Sequence, residues 1–315
     1  MKKLSNKTLL IALVVLVGIF GASRLFRSPA RESNLRRDLI STDTAAITEL
    51  RILPGKDRSE EIKITREGNG WKVSKGNRVA GGDRNYIKSA LTALYRMQAQ
   101  RQASRKKEKW EEFNVGEKST HVSGYAGERK VVDVHIGKLG FAQGGSGGFG
   151  GSYTYVRLSD EDEVYTVQGF LESSFNNAFN DWRNKILSKV NKDDIVKISF
   201  RYPADSGFVV EKRDSIWYAA SEKANPAKVD ALANQLSAKY LTEFADDIAA
   251  AQPADVTIIV DGKAGTLAII EAWKKGDEWI FSGSAQKGVY FSSKGSTVVK
   301  DILIGQKQLL PGIGQ

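Results

Sequence analysis

The chain has 315 residues, 41% apolar and 27% charged, which supplies enough apolar material for a packed core and excludes wholesale disorder. It has no cysteine, so disulfide frameworks, thiolate chemistry, Cys-based zinc sites and lipid attachment through a cysteine are excluded. The net charge of +10 sits in two stretches, 1–37 and 84–109, each with eight Lys or Arg against one Glu; the remainder is net acidic, which argues against the basic, aromatic-studded face of a nucleic-acid binder.

Residues 9–22 carry no charge, and ten of the fourteen are Leu, Ile, Val or Phe. Extended to residues 8–26, the run makes a helix of about 28 Å, close to the ~30 Å hydrocarbon core of a bilayer. This predicts a short cytoplasmic tail and transmembrane anchor over residues 1–26. The alternative is a cleaved signal peptide, with its apolar region at 9–20 and the small residues Gly21 and Ser23 before the cut. Lys2, Lys3 and Lys7 place the N-terminus inside; five arginines on the other flank oppose this. The expected location is the inner (cytoplasmic) membrane, single-pass, with the body on the periplasmic or extracytoplasmic side. Residues 27–44, polar and charged, read as a linker.

The body reads as one pattern written twice, in residues 45–190 and 191–304, with a C-terminal tail at 305–315. In the first copy Ile47, Leu50 and Ile52 open a strand, Ile62 and Ile64 alternate in a second, and Gly68-Asn69-Gly70 turns into Trp71-Lys72-Val73. Asp83 then caps a helix in which Ile87, Leu91, Leu94 and Met97 form one apolar stripe. Strands resume at 131–137, 153–158 and 164–168, and a short helix with Phe170, Leu171, Phe175 and Phe179 closes the copy. In the second copy, strands at 195–200, 208–210 and 216–218 precede a helix capped by Asn225 with Pro226 in its first position and Val229, Leu232, Leu236 and Tyr240 as its stripe. Strands follow at 256–260, 266–273, 278–281 and 289–292, with Asp261-Gly262 as a turn. The expected fold class is therefore α+β: a transmembrane helix followed by two related units of mostly antiparallel sheet, each covered by a helix. Trp71 and Trp217 are expected to anchor the two cores.

Candidate chemistry is sparse. Gly144-Gly145-Ser146-Gly147-Gly148 fits a nucleophile-elbow pattern, and the run from Gly145 to Phe149 and Gly150 fits a dinucleotide fingerprint. Both need a following helix, and the elbow also needs a downstream histidine. Here Tyr153-Thr154-Tyr155-Val156 reads as a strand, and both histidines, His121 and His135, lie upstream. A mobile binding loop at Gly144, Gly145, Ser146, Gly147, Gly148 and Phe149 is the expectation. Asp133 and His135, two apart on a strand, share one face and with His121 would make three metal ligands, although solvated surface is the commoner meaning of such a pair. The basic run Arg96, Arg101, Arg105, Lys106, Lys107 and Lys109 reads as a solvated helix end and loop, suited to an acidic partner or anionic lipid. Asp181-Trp182-Arg183-Asn184-Lys185 reads as the joint between copies. No cofactor and no metal is expected.

This layout resembles the domain of unknown function 4340 family. The resemblance rests on the lone N-terminal span, Gly70-Trp71-Lys72-Val73, the helix over 83–97, Val164-Tyr165-Thr166-Val167 before an apolar helix, and Trp182-Arg183-Asn184-Lys185-Ile186-Leu187. It covers most of residues 45–300, and the second copy departs from it by lacking the Arg-Asn-Lys segment after its last strand. The resemblance implies an envelope protein associated with ABC-transporter components, including auxiliary gliding-motility transporters, and brings no catalytic residues with it. The expected function is thus a non-catalytic, membrane-anchored extracytoplasmic accessory subunit of an ABC-type transport or envelope complex. Its partners would be an ABC-transporter permease or other envelope proteins, with no nucleic acid. An extracytoplasmic binding protein for a polymer or lipid is the alternative, and a hydrolase using Asp133, His135 or Ser146 is the third reading.

Overall fold

The structure, a computed structural model, describes Leu13, Val15 and Leu16 and residues 37–141, 151–248 and 253–312. Among these no helix is long and apolar enough to cross a membrane, and the expected span at 8–26 lies outside the described residues apart from those first three, which are helical and exposed.

The first sheet begins with three successive hairpins: β1 (Glu49–Leu53), β2 (Ile62–Glu67), β3 (Gly70–Lys75) and β4 (Arg78–Gly81). Gly68, at φ +54°, supplies the left-handed backbone that the β2–β3 turn requires. Asp83 then accepts the Asn85 and Tyr86 N–H groups and starts α1 (Arg84–Tyr95). β5 (Ala99–Ser104), β6 (Thr120–Ala126), β7 (Arg129–Phe141), β8 (Ser152–Leu158) and β9 (Val164–Gln168) complete the sheet, in the order β4-β3-β2-β1-β6-β7-β8-β9-β5, every pairing antiparallel. Alternation along β1 and β2 aims Leu50, Ile52, Ile62 and Ile64 at one face, where Ile87, Leu91 and Leu94 of α1 cover them. Each such buried side chain contributes roughly 1.5–3 kcal/mol of transfer free energy.

The apolar segment expected as one helix after β9 breaks at residues 176–178 into α2 (Leu171–Phe175) and α3 (Phe179–Trp182). Then come β10 (Ile186–Lys189) and the second sheet: β11 (Ile195–Arg201), β12 (Phe208–Arg213), β13 (Ile216–Ala219) and β14 (Glu222–Lys223). Asn225 and Pro226 start α4 (Pro226–Ser237) in the expected way, the amide oxygen accepting from Ala227 and Lys228. After it lie β15 (Ala238–Tyr240), β16 (Val256–Gly262), β17 (Gly265–Lys275), β18 (Glu278–Gly283), β19 (Phe291–Ser292) and α5 (Val298–Ile302). The order is β14-β13-β12-β11-β16-β17-β18-β19, again wholly antiparallel.

The two sheets share one wiring. In each, four strands run outward by hairpins, a twelve-residue helix follows, and a later strand returns to pair with the first. They differ in the strand after the helix: β5 closes the far edge of its own sheet, whereas β15 leaves to pair with β10 in a separate two-stranded sheet. Trp71 and Trp217 are both partly buried against their cores. Each faces a cation across its hairpin, Arg66 at 4.7 Å from the Trp71 ring and Lys212 at 5.9 Å from the Trp217 ring.

Several expectations shift. The strand foreseen at 289–292 shortens to β19, because Gly288 at φ +77° turns the chain and the Tyr290 carbonyl accepts from Ala245 instead. The turn foreseen at Asp261-Gly262 falls two residues later, at Lys263-Ala264, both Asp261 and Gly262 remaining paired in β16. Tyr240 lies on β15 and is 51% exposed, outside the α4 stripe. The segment from 305 on reaches back over α4: Leu309 is buried, and its carbonyl accepts from Asn225.

The β10–β15 pair abuts β18 where a Cβ on Gly283 would run into the Leu187 carbonyl. Gly283→Ala is therefore expected to destabilise the protein by about 1–3 kcal/mol. The urea-unfolding midpoint checks this; an unchanged midpoint would show that the two layers part easily.

Candidate functional site

The basic run starts at a helix end and its six cations are exposed, as expected, but its middle is a strand and not a loop. α1 stops at Tyr95, Arg96 caps it, and the chain turns at once into the edge strand β5. β5 runs Ala-Gln-Arg-Gln-Ala-Ser, with no β-branched residue and with register breaks at Ala99/Arg101 and Gln102/Ser104. Its strand state comes from pairing with β9 and not from local preference.

The six cations on this run do different things. Lys109 pairs with Glu112 at 2.5 Å. Lys107 lies 5.0 Å from the Trp110 ring, whose Nε1 donates to the Asp162 carbonyl, so this end of the run sits beside an acidic turn, Asp160 to Glu163. Arg105 donates to the Gln102 side chain. Arg101 lies 6.0 Å from the Tyr153 ring. Arg96, Arg101 and Lys106 have no carboxylate partner among the described residues. Lys109 alone of the six has a carboxylate partner among the described residues, so the basic character runs from the α1 end of β5 through Lys107.

At that α1 end the N-terminal segment docks. Ala99 N–H donates to the Arg37 carbonyl at 2.7 Å, Leu39 N–H to the Met97 carbonyl at 3.4 Å, and Gln98 Nε2 to Asp38 Oδ1 at 3.0 Å. Leu39 enters the first core at 3% exposure beside Met97 at 1%. The last part of the expected linker is therefore built into the body. The glycine-rich loop, Gly144 to Phe149, lies outside the described residues. Tyr153 and Tyr155 beside it contact each other, and Tyr155 meets Phe113 at 4.5 Å.

The structure does bring His121, Asp133 and His135 together. Neighbouring strands β6 and β7 place the two histidines opposite each other, stacked at 4.6 Å, with Asp133 opposite Ser123. The carboxylate is fully engaged: Oδ1 meets His121 Nε2 at 2.6 Å and Ser159 Oγ at 2.8 Å, and Oδ2 accepts from Lys130 Nζ at 2.8 Å. Burial raises the Asp133 pKa, but the hydrogen bonds from Lys130, His121 and Ser159 outweigh it and bring it down to about 2. Burial, aided by Arg157 and His121, lowers the His135 pKa to about 3, and its Nδ1 meets Ser119 Oγ at 2.8 Å. Ser119 gives its own proton to the Gly116 carbonyl, so His135 is the donor in that bond.

This cluster has serine, histidine and aspartate, but it is not a relay. Ser159 and Asp133 both approach Nε2 of His121, whereas a relay needs the hydroxyl on one ring nitrogen and the carboxylate on the other. Nor does it present three open ligands: among the described residues no group of three His, Asp or Glu is placed to hold a metal ion. Ser119, Ser159 and Arg157, which complete the network, gave no signal in the sequence because lone serines and a lone arginine match no spacing pattern.

With this geometry in hand, comparison with known families is decisive at one level. The family described as Domain of unknown function (DUF4340) matches residues 78–257, more than half of the chain. The chain belongs to this family. In this family member the matched region starts at β4, includes α1, the basic edge strand, the histidine pair and the Trp182-Arg183-Asn184-Lys185 joint, and ends in β16. Searches of curated proteins and of solved structures give no match.

The histidine cluster fixes a pH dependence. Folded His135 refuses a proton down to about pH 3, whereas in the unfolded chain it accepts one near 6.5, so stability is present above 6.5 and is lost as pH falls toward 3. Asp133 acts in the same sense below about 4, down to about 2. His135→Gln should flatten the loss between pH 6.5 and 4 and leave the lower loss in place, read from thermal midpoints across pH. Superimposable profiles would contradict this assignment.

Proposed function

We propose that this chain is a non-catalytic accessory subunit of an extracytoplasmic transport or envelope assembly, of the ABC type. In this reading residues 8–26 hold it in the cytoplasmic membrane and its body stands on the outer side. The observation that carries the reading is the docking of Arg37 and Leu39 on the start of β5. It ties the chain leaving the apolar run to one edge of the body, the edge where Arg96 and Arg101 have no carboxylate partner among the described residues. Residues 27–36 between them reach at most about 36 Å even when fully extended. The body would therefore sit against the bilayer surface with its basic edge toward the headgroups.

Such a tether raises the local concentration of the body near any membrane-embedded partner, so docking needs little intrinsic affinity. The β3–β4 hairpin, at the other end of the nine-stranded sheet from β5, and the small β13–β14 hairpin, at one end of the second sheet, offer the surfaces for a permease or another envelope protein. The two similarly wired units, 45–190 and 191–304, are read as related copies, which supplies two such hairpins from one framework.

Two measurements test this. Affinity purification from mild detergent should recover permease or other transporter subunits with the full chain; recovery of the chain alone at stoichiometric yield would remove the accessory reading. Protease added to spheroplasts with an intact inner membrane should digest the body. Digestion only after lysis would put the body in the cytosol and reverse the proposed orientation.

A further inference from the structure

A cavity of about 460 Å³ lies between the outer face of α1 and the β2–β3 hairpin. Arg84, Lys88, Leu91 and Tyr95 line it from the helix, and Arg66 and Trp71 from the hairpin. Spacings of four, three and four put the helix residues on one face. Arg66 is held in place from two sides: its guanidinium lies 4.7 Å from the Trp71 ring centroid, and Nη2 donates to the Ala45 and Ile47 carbonyls at 3.2 and 3.3 Å. Arg84 donates to the Asn69 carbonyl. All three cations lack a carboxylate partner among the described residues, in contrast to Lys63, Lys72, Lys75 and Lys130 nearby in the same sheet. The one acid in the lining, Asp43, is engaged with the Ala45 N–H at 2.9 Å.

The second unit supplies an internal control. α1 and α4 are both twelve residues long and capped alike, so their positions correspond one to one. The cation–tryptophan hairpin pair recurs there as Lys212 and Trp217. The helix positions do not: Arg84, Lys88, Leu91 and Tyr95 become Pro226, Asp230, Ala233 and Ser237, and Asp230 is paired with Lys192. The framework therefore needs the cation over the tryptophan but needs neither the helix cations nor the tyrosine. Their convergence in the first unit has no role in packing: Lys88 and Tyr95 are exposed, Tyr95 at 65%.

We propose that this cavity binds a phosphate group carried on an apolar body, and that its source is the headgroup of an anionic phospholipid. Two guanidinium forks and an ammonium without a carboxylate fit the spread charge of a phosphate. Trp71, Leu91 and Tyr95 give the adjoining carbons an apolar wall. The size suits a headgroup with its glycerol. The lipid source rests on the tethered reading above; the phosphate site does not. The cavity adjoins a larger hollow of about 940 Å³ lined by Asp38, Ile40 and Arg96, with Asp43 and Tyr95 common to both, so it opens beside the segment that links the body to the apolar run.

The test uses the full chain in an uncharged detergent, titrated by calorimetry with short-chain phosphatidylglycerol, short-chain phosphatidylcholine and inorganic phosphate. Saturable phosphatidylglycerol binding is expected, with phosphatidylcholine, whose phosphate is masked by its own cation, and inorganic phosphate each about tenfold weaker or more. Lys88→Asp, which installs the second unit's residue, should weaken phosphatidylglycerol at least about tenfold, whereas Lys263→Asp in the β16–β17 turn, an equal charge change elsewhere, should not. Equal weakening by both variants, or none by Lys88→Asp and Arg84→Ala, overturns the site. Inorganic phosphate binding as tightly as phosphatidylglycerol, and lost in Lys88→Asp, overturns the lipid source. A failed protease-orientation experiment with this binding intact would remove the tethered reading alone.

Discussion

Arg183 holds the two sheets to each other. The residue is 4% exposed, and its guanidinium lies 3.6 Å from the Phe244 ring centroid and makes a two-pronged pair with Asp246 at 2.6 and 2.7 Å. The residues around it bond in both directions. Asp83 N–H donates to the Trp182 carbonyl and Asn184 N–H to the Gly81 carbonyl, which fixes the joint to β4 and the cap of α1. Leu241 N–H donates to the Lys185 carbonyl, and Gln286 Nε2 to the carbonyls of Asn184 and Ile186, which fixes it to the second unit. Trp182, fully buried, meets Tyr86 edge-on at 4.9 Å. This joint carries a cost as well. Among the described residues Trp182 Nε1 and Arg183 Nε have no hydrogen-bond partner, each buried atom costing about 1–3 kcal/mol of lost hydration. Asp246, 41% exposed, keeps part of its own hydration, so the pair gives up less solvation than one buried at both ends.

On this joint sit two sheets of the same wiring and different decoration. The shared parts are those that make a stable sheet: alternating Ile, Leu and Val on the central strands, a capped helix over them, and a tryptophan under a cation at the hairpin. The unshared parts are the histidine pair with Asp133, the basic edge strand, and the cations at the first and fifth positions of α1. Nothing in the wiring demands these, and function resides in what the framework leaves optional. The point where the N-terminal segment docks adds a direction. Leu39 in the core and Ala99 N–H on the Arg37 carbonyl turn an anonymous linker into a fixed attachment at one edge of the nine-stranded sheet.

The elements legible in the sequence were those whose physics is local. Asp83, Asn225 and Pro226 mark helix starts because orphan backbone N–H groups need an acceptor at that spot. Gly68 marks its turn because the backbone there is left-handed. Illegible were elements set by partners far away in sequence. β5 reads Ala-Gln-Arg-Gln-Ala-Ser, without a strand's usual composition, and β6 reads Thr-His-Val-Ser-Gly-Tyr-Ala, where Ser-Gly interrupts the strand formers Thr, Val and Tyr. β6 is a strand because β1 and β7 flank it, and β5 because β9 and residues 37–39 do. The histidine cluster was half legible. Two-residue spacing put Asp133 and His135 on one face, but only the structure shows Ser159, Ser123 and Lys130 already occupying the carboxylate. The cavity beside α1 was invisible, since it joins a hairpin to a helix face some twenty residues on.

Hydrogen exchange on the full chain carrying Arg183→Met reads the joint directly. If Arg183 couples the sheets, protection falls together in β4, the start of α1 and residues 238–246, while the central strands β1, β6, β11 and β16 keep theirs. Unchanged protection in those joint segments, or a uniform loss across both sheets, would show that the two halves do not depend on this residue.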